Sequence, residues 1–92
     1  MQLSLSSIPK RNHDVMGRTI EGETVLVLPV QGEVKVINEV GSQIWQLADG
    51  QRSIAEIAAQ ICQQYAVEPA QAETDTLQFV RLLVEKGILS LV

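Results

Sequence analysis

The chain has almost none of the residues from which catalytic and metal sites are most often built. Its 92 residues include a single cysteine, Cys62, and a single histidine, His13. One cysteine cannot form an intramolecular disulfide or a multi-cysteine zinc site. The sequence also has no glycine-rich phosphate loop, and no serine or cysteine lies in a recognisable nucleophile motif. We therefore expect no enzyme activity, no bound metal and no cofactor.

Aromatic residues and long apolar runs are also scarce. Tyr65, Trp45 and Phe79 are the only aromatic residues, so the core must be built mainly from Ile, Leu and Val. The longest apolar stretch, around Pro29, is too short to cross a bilayer, and no signal peptide is recognisable. We expect a protein of the reducing cytoplasm that has no contact with a membrane.

Composition and charge limit the fold and the partners. Hydrophobic residues make up 46% of the chain, which suffices for one globular domain of this length. The formal net charge of −4 argues against a nucleic-acid partner, because neutralising phosphates is the main source of such affinity. The same charge suits a protein that binds a basic or neutral peptide.

The first third of the chain has the pattern of a small antiparallel sheet. We expect residues 1–13 to form a loosely ordered N-terminal arm, and residues 14–92 to form the domain. Val15 to Ile20 and Thr24 to Val30 are predicted strands on either side of a glycine turn. A second turn, at Gln31-Gly32, leads into a third strand.

The third predicted strand, Glu33 to Ile37, has a clear alternation of side chains. Val34 and Val36 lie on one face of the strand, and Glu33 and Lys35 lie on the other. We expect the charged pair to form the solvated face. Three strands joined by tight turns predict an antiparallel meander.

Capping residues mark three helices in the rest of the chain. Asn38 is a good N-cap for a helix over Glu39 to Leu47. Ser53 and Glu56 have the spacing of a capping box at the start of the second helix. The third helix begins at Pro69, a typical first residue, and Lys86-Gly87 ends it. The predicted fold is α+β, a three-stranded antiparallel sheet followed by three helices, and it resembles a winged helix-turn-helix with its elements reordered.

An ordered set of residues runs from the third strand to the end of the third helix. Its members are Ile37-Asn38, Ile44-Trp45, Asp49-Gly50, Ile57, Tyr65, Asp75, Val80 with Leu83, and Gly87-Ile88-Leu89. In this order and spacing the set resembles the PqqD family of RiPP recognition elements, over roughly residues 14–90. Leu82 and Val84 depart from the family, in which these helix positions are often polar, and they could widen an apolar groove or meet a partner.

The resemblance implies non-catalytic binding of the leader peptide of a ribosomally synthesised, post-translationally modified peptide. In this family the leader adds as an extra strand to the edge of the third strand, in the groove beside the third helix. The bound precursor is presented to a modifying enzyme, such as a radical SAM protein, or a leader peptidase in lasso-peptide pathways. Which pathway the chain serves, PQQ biosynthesis and lasso-peptide biosynthesis included, stays open.

The residues themselves fit a peptide-binding site. A strand at the end of a meander has one unpaired edge, which is a template for another chain. Positions three, four or seven residues apart on the third helix share one face. The predicted peptide contacts on the strand and on this face are Glu33, Val34, Lys35, Val36, Ile37, Asp75, Gln78, Phe79, Leu82 and Lys86. Phe79 and Leu82 are suited to apolar leader side chains, and Asp75 is suited to a basic one.

Two other functions stay open from sequence alone. A winged-helix DNA-binding regulator would use the second and third helices, although their exposed residues are poor in basic side chains. A structural subunit that stays bound to an enzyme is the other alternative. The sequence also leaves open whether a homodimer masks the free strand edge.

Overall fold

Two antiparallel sheets and three helices make up the structure, a computed structural model that describes residues 3–28 and 32–92. The strands are β1 (Pro9–Arg11), β2 (Met16–Ile20), β3 (Glu23–Leu28), β4 (Glu33–Ile37) and β5 (Leu89–Leu91). The helices are α1 (Glu39–Leu47), α2 (Ile54–Tyr65) and α3 (Pro69–Glu85). One sheet has the strand order β2-β3-β4, and the other pairs β1 with β5. The predicted α+β fold, a three-stranded antiparallel sheet followed by three helices, is confirmed.

Each helix begins at the residue that its capping pattern predicts. The side chain of Asn38 accepts a hydrogen bond from a backbone N–H in the first turn of α1, at 2.8 Å. At the start of α2, the Glu56 N–H donates to the Ser53 hydroxyl and the Ser53 N–H donates to the Glu56 carboxylate. Pro69 opens α3, and Gly87, with φ of +75°, follows its end. These local signals are sufficient to position all three helices along the chain.

The three-stranded sheet packs one face against the helices. Thr24, Leu26 and Leu28 alternate along the central strand β3 and are buried on this inner face. They meet the main core, which includes the buried residues Ile54, Ile57, Val80, Leu83, Ile88 and Leu89. Pro29 and Val30, which the sequence predicts at the end of this strand, lie outside the described residues, as does Gln31.

The two faces of β4 are the reverse of what the sequence predicts. Lys35 lies opposite the buried Leu26 in the strand register, and its side chain is half-buried on the inner face. Val34 and Val36 lie on the outer face and are 64% and 58% exposed. The prediction of a solvated Glu33 and Lys35 face was therefore wrong for Lys35, although Glu33 is exposed at the strand end. Alternation identifies two faces of a strand, but the neighbouring elements decide which face is covered.

Part of the segment that the sequence predicts to be a loose arm is a strand. Residues 9–11 form β1, which pairs with β5 at the other end of the chain, so that Pro9 lies opposite Leu91. The carbonyl groups of Leu5 and Ser7 accept hydrogen bonds from the first residues of α2. A local reading of the sequence could not find this strand, because its partner is far away along the chain. Residues 1 and 2 lie outside the described residues.

Arg11 connects β1 to the C-terminal end of α1. Its guanidinium group donates to the carbonyl oxygen of Trp45 at 2.9 Å and also to that of Gln46. The same group lies 5.3 Å from the centroid of the Trp45 ring. The last carbonyl groups of a helix lack partners within the helix, so a cation is favourable there. Trp45 in turn packs on β2 at Gly17, where a Cβ atom would collide with the indole ring.

Replacing Arg11 with alanine should lower the free energy of unfolding by about 1–3 kcal/mol, because both hydrogen bonds and the contact with the ring are lost. Arg11→Lys should recover part of this loss, since lysine keeps the charge but not the planar group. Chemical denaturation followed by circular dichroism measures both variants. An Arg11→Ala variant as stable as the wild-type chain would contradict this role.

The capping box should make stability depend on pH. Hydrogen bonds from the Ser53 backbone N–H and the Ser53 hydroxyl lower the pKa of the Glu56 carboxyl. A lowered pKa in the folded state means that the carboxylate stabilises the fold at neutral pH, and that this contribution is lost as the pH falls through the lowered value. Below about pH 4, the thermal unfolding midpoint should fall more steeply for the wild-type chain than for Glu56→Gln. Parallel curves for the two proteins would contradict the prediction.

Candidate functional site

A cavity of about 490 Å³ lies between β4, α1 and α3. Its floor reaches the core, because Ile44 and Ile61 line it and are only 2% and 3% exposed. Its rim is open to solvent. The residues that line it are Lys35, Val36, Ile37, Asn38, Val40, Gly41, Ile44, Ile61, Val67, Ala72, Asp75, Thr76, Phe79 and Leu82.

The wall formed by β4 also has an unpaired strand edge. β4 pairs with β3 on one side, and no strand in the described part of the chain pairs with its other side. In antiparallel pairing, alternate residues of a strand turn their N–H and C=O groups toward a given edge. Lys35, Val36 and Ile37 belong both to this strand and to the cavity lining. The free backbone groups and the mouth of the cavity are therefore adjacent.

The opposite wall, on α3, is apolar because of Phe79 and Leu82. A Cβ atom at Gly41 would lie 2.8 Å from Phe79 Cζ, so the phenyl ring rests directly on the backbone of α1. Only glycine allows this approach. Leu82 lies one turn further along α3 and is 39% exposed. The two side chains give the cavity a hydrophobic face with solvent access.

Four polar side chains interrupt the apolar lining: Lys35, Asp75, Thr76 and Asn38, which caps α1. Lys35 stands on the β4 side, and none of the described carboxylates forms an ion pair with it. Asp75 stands on the α3 side, where its Oδ1 accepts a hydrogen bond from Gln71 Nε2 at 2.7 Å. Thr76 is fully buried, and its hydroxyl has no hydrogen-bond partner among the described residues. A buried hydroxyl without a partner is unfavourable, so a polar group that entered the cavity would gain this contact.

The predicted site residues divide into two groups. Lys35, Val36, Ile37, Asp75, Phe79 and Leu82 come together around the cavity. Glu33 and Val34 lie at the start of β4, Gln78 lies on α3, and Lys86 directly follows α3; all four are outside the lining. Val84, which the sequence grouped with Leu82, is half-buried and packs against the core.

Sequence reasoning missed the contribution of α1 and α2 to the cavity. Val40, Gly41 and Ile44 come from α1, and Ile61 comes from α2. Gly41 carried a usable signal, because a glycine inside a helix often marks a close approach of another group. The other residues look like ordinary core positions in the sequence, and only the packing of the helices shows that they border a cavity.

Neither a metal cluster nor a membrane helix is present in the part of the chain that the structure describes. Within residues 3–28 and 32–92, His, Cys, Asp and Glu side chains do not gather in groups of three or more that could hold a metal ion. In the same ranges, the helices are too short or too polar to cross a bilayer. What the site does contain is an apolar cavity, a strand edge and a few polar groups at the rim.

Comparison with known proteins gives a family and a set of similar folds. The family model for Coenzyme PQQ synthesis protein D (PqqD) matches residues 23–89. No curated protein matches the chain in sequence. A structure of TbiB1 in complex with the TbiA(beta) leader peptide is 32% identical, with a TM-score of 0.80 over 88% of this chain and 94% of that chain.

Two further structures have the same fold. The solution NMR structure of the PqqD truncation of Methylobacterium extorquens PqqCD, a stand-alone RiPP recognition element, is 26% identical. Its TM-score is 0.79 over 97% of this chain and 95% of that chain. A lasso peptide synthetase B1 complexed with the leader peptide has a TM-score of 0.79 at 24% identity, over 90% of this chain and 98% of that chain. With a family match over most of its length and this shared fold, the chain belongs to the PqqD family.

Proposed function

We propose that the chain binds the leader peptide of a ribosomally made, post-translationally modified peptide, and that it catalyses no reaction itself. One observation carries this proposal: the unpaired edge of β4 lies beside a cavity that opens toward α3. The leader adds to β4 as a further strand, and its inward side chains enter the cavity. TbiB1, which is 32% identical to this chain, has been solved in complex with a leader peptide, and this relationship supports the proposal.

The binding energy in this proposal comes from two sources. Hydrogen bonds between the leader backbone and β4 provide affinity that does not depend on the leader sequence. Apolar leader side chains gain by leaving water for the surface of Phe79 and Leu82. Lys35 and Asp75 favour leader residues of opposite charge at the rim. The proposed contact residues are Glu33, Val34, Lys35, Val36, Ile37, Asp75, Gln78, Phe79, Leu82 and Lys86, within a binding domain of residues 14–92.

The chemistry on the precursor belongs, in this proposal, to a separate enzyme. The chain holds the leader and presents the rest of the precursor to a radical SAM protein or to a leader peptidase. We infer that this step takes place in the cytoplasm, where ribosomes make the precursor and where the free thiol of Cys62 stays reduced. No observation on the site favours a DNA-binding role over peptide binding.

An NMR titration of the isotopically labelled chain tests the proposal. The ligand is a synthetic leader taken from the precursor peptide encoded beside the gene for this chain. We expect shift changes concentrated in residues 33–38 and 75–86, because these segments border the groove. A folded chain that shows no shift change with that leader would refute leader binding.

Leu82→Glu should weaken leader binding by about tenfold or more, because it places a charge on the apolar wall of the groove. The fold should be unaffected, since Leu82 is 39% exposed. Val92→Glu is a matched control: it makes the same change of charge at an apolar residue that is 75% exposed and is not part of the groove lining. Fluorescence anisotropy with a labelled leader measures both variants. An unchanged affinity in the Leu82→Glu variant would remove Leu82 from the contact set.

Gly41→Ala should weaken leader binding although it favours the helix. Alanine is better than glycine in a helix by about 1 kcal/mol, so α1 should remain formed. The new Cβ atom would lie 2.8 Å from Phe79 Cζ and 3.2 Å from Asn38 Oδ1. The Phe79 ring must therefore leave its present position on the groove wall, and the shape of the apolar wall changes. Leader affinity by anisotropy and helix content by circular dichroism check this. Adding Phe79→Leu should restore part of the affinity, and a Gly41→Ala variant that binds as the wild-type chain would contradict the prediction.

A further inference from the structure

Asn38 lies at the end of the free strand edge and lines the groove, although it is not among the proposed contact residues. β4 ends at Ile37, and the backbone of Asn38 is still extended, with φ of −72° and ψ of −178°. The Asn38 side chain is exposed and belongs to the cavity lining. Beyond it the chain turns into α1, so the ladder between β4 and an added strand stops at this point.

One half of the Asn38 carboxamide is already engaged. Its Oδ1 accepts a hydrogen bond from the Gly41 N–H at 2.8 Å, and this bond caps α1. Because only the oxygen of a carboxamide can accept, the bond fixes which end of the group faces the helix. The Nδ2 group is held on the other side, and none of the described residues accepts a hydrogen bond from it. The end of the strand therefore carries N–H donors in a fixed orientation.

The carboxamide also lies beside the apolar wall of the groove. A Cβ atom at Gly41 would lie 3.2 Å from Asn38 Oδ1 and 2.8 Å from Phe79 Cζ, so both groups meet at one point of the α1 backbone. A leader residue whose side chain rests on Phe79 thus brings its own backbone close to Asn38. An added strand turns carbonyl groups toward the edge of β4 at alternate residues. A leader carbonyl group that lies past Ile37 meets no further residue of β4, and Asn38 Nδ2 is the donor at that position.

The neighbouring charges decide what kind of acceptor fits there. Glu39 follows Asn38 in the first turn of α1, and Asp75 lines the same cavity from α3. Lys35 is three residues earlier, roughly 10 Å away along an extended strand. The two carboxylates disfavour a leader carboxylate, because like charges repel. A neutral backbone carbonyl group has no such cost, and every leader residue supplies one.

From these observations we infer that Asn38 binds the leader directly, by donating from Nδ2 to a backbone carbonyl group at the end of the added strand. The same side chain holds α1 with its oxygen and the peptide with its nitrogen. The contact fixes the register of the leader along β4, because only one leader carbonyl group can lie at the end of the strand. The inference rests on the proposed function, since it requires a leader on the edge of β4.

Two substitutions remove the donor and keep the helix cap. Aspartate and serine are as good as asparagine at an N-cap, so Asn38→Asp and Asn38→Ser should both leave α1 formed. Aspartate has no N–H donor, and serine lacks the second polar atom of the carboxamide. Asn38→Ser also leaves the net charge unchanged. Gln60→Glu is the control, because it makes the carboxamide-to-carboxylate change at an exposed residue of α2 outside the cavity lining.

Fluorescence anisotropy with the labelled synthetic leader measures the affinity of each protein. We expect both Asn38 variants to bind the leader about three- to tenfold more weakly, since one hydrogen bond is lost. The control affinity and the helix content of all variants, by circular dichroism, should match the wild-type chain. Affinities within about twofold of the wild-type value in the folded Asn38 variants would overturn the inference. If one Asn38 variant does not fold, the other decides the outcome.

A series of leader thioamides identifies the acceptor. Each peptide replaces one backbone carbonyl oxygen with sulfur, which accepts hydrogen bonds weakly. At one leader position, this replacement should weaken binding to the wild-type chain more than binding to Asn38→Ser. A series that affects the two proteins equally at every position would overturn the inference. So would side-chain NH₂ signals of Asn38 that do not shift in NMR spectra when the leader is added.

Failure of this inference is distinguishable from failure of the proposed function. A folded wild-type chain that does not bind the leader would refute leader binding, and the Asn38 contact would be refuted with it. A wild-type chain that binds the leader no better than the Asn38 variants would refute only the contact.

Discussion

The turn at Asn38 decides where the rest of the chain can lie. β4 ends at Ile37, and the Asn38 side chain caps α1 at the next residue. The chain therefore leaves the sheet for its inner face as soon as the last strand is complete. α1 then covers that face, and α3 packs beyond it. In the described part of the chain, no later segment returns to the outer edge of β4. The open edge is a direct consequence of this turn, and the cavity is the space left between β4 and α3.

Small residues keep that space from being filled. Two aromatic rings pack on glycine backbones on either side of α1, Trp45 at Gly17 and Phe79 at Gly41. The ring of Trp45 fills the space beneath β2, whereas Phe79 borders the cavity and does not fill it. Ala72 and Thr76 face the cavity from α3 and are too small to close it. Empty space beside a core reduces van der Waals contact and so costs stability, which a bound side chain would recover.

Much of the fold could be predicted because its signals are local. Asn38, the capping box at Ser53 and the proline at the start of α3 each act within a few residues, so the helix bounds followed from the sequence. The pairing of β1 with β5 could not be predicted, since it joins the two ends of the chain. The prediction of which face of β4 is solvated was wrong for a similar reason. Alternation shows that a strand has two faces but not which one is covered, and only the packing of α1 decides that Lys35 faces inward. In the site, β4 and α3 could be anticipated as walls, whereas Ile44 and Ile61 of the floor look like ordinary core residues.

The orientation of β4 also determines which side chains of a bound leader face the groove and which face outward. Lys35 and Ile37 face the groove, while Val34 and Val36 face the outer surface. A strand added to the edge of β4 alternates in the same way, so every second leader side chain enters the groove and the others lie on the outer face. The inward side chains then determine affinity for this chain. In the proposed complex, the outward ones lie beside Val34 and Val36 on the outer face of the sheet, away from the groove. The groove of that complex therefore selects the leader sequence mainly at every second position.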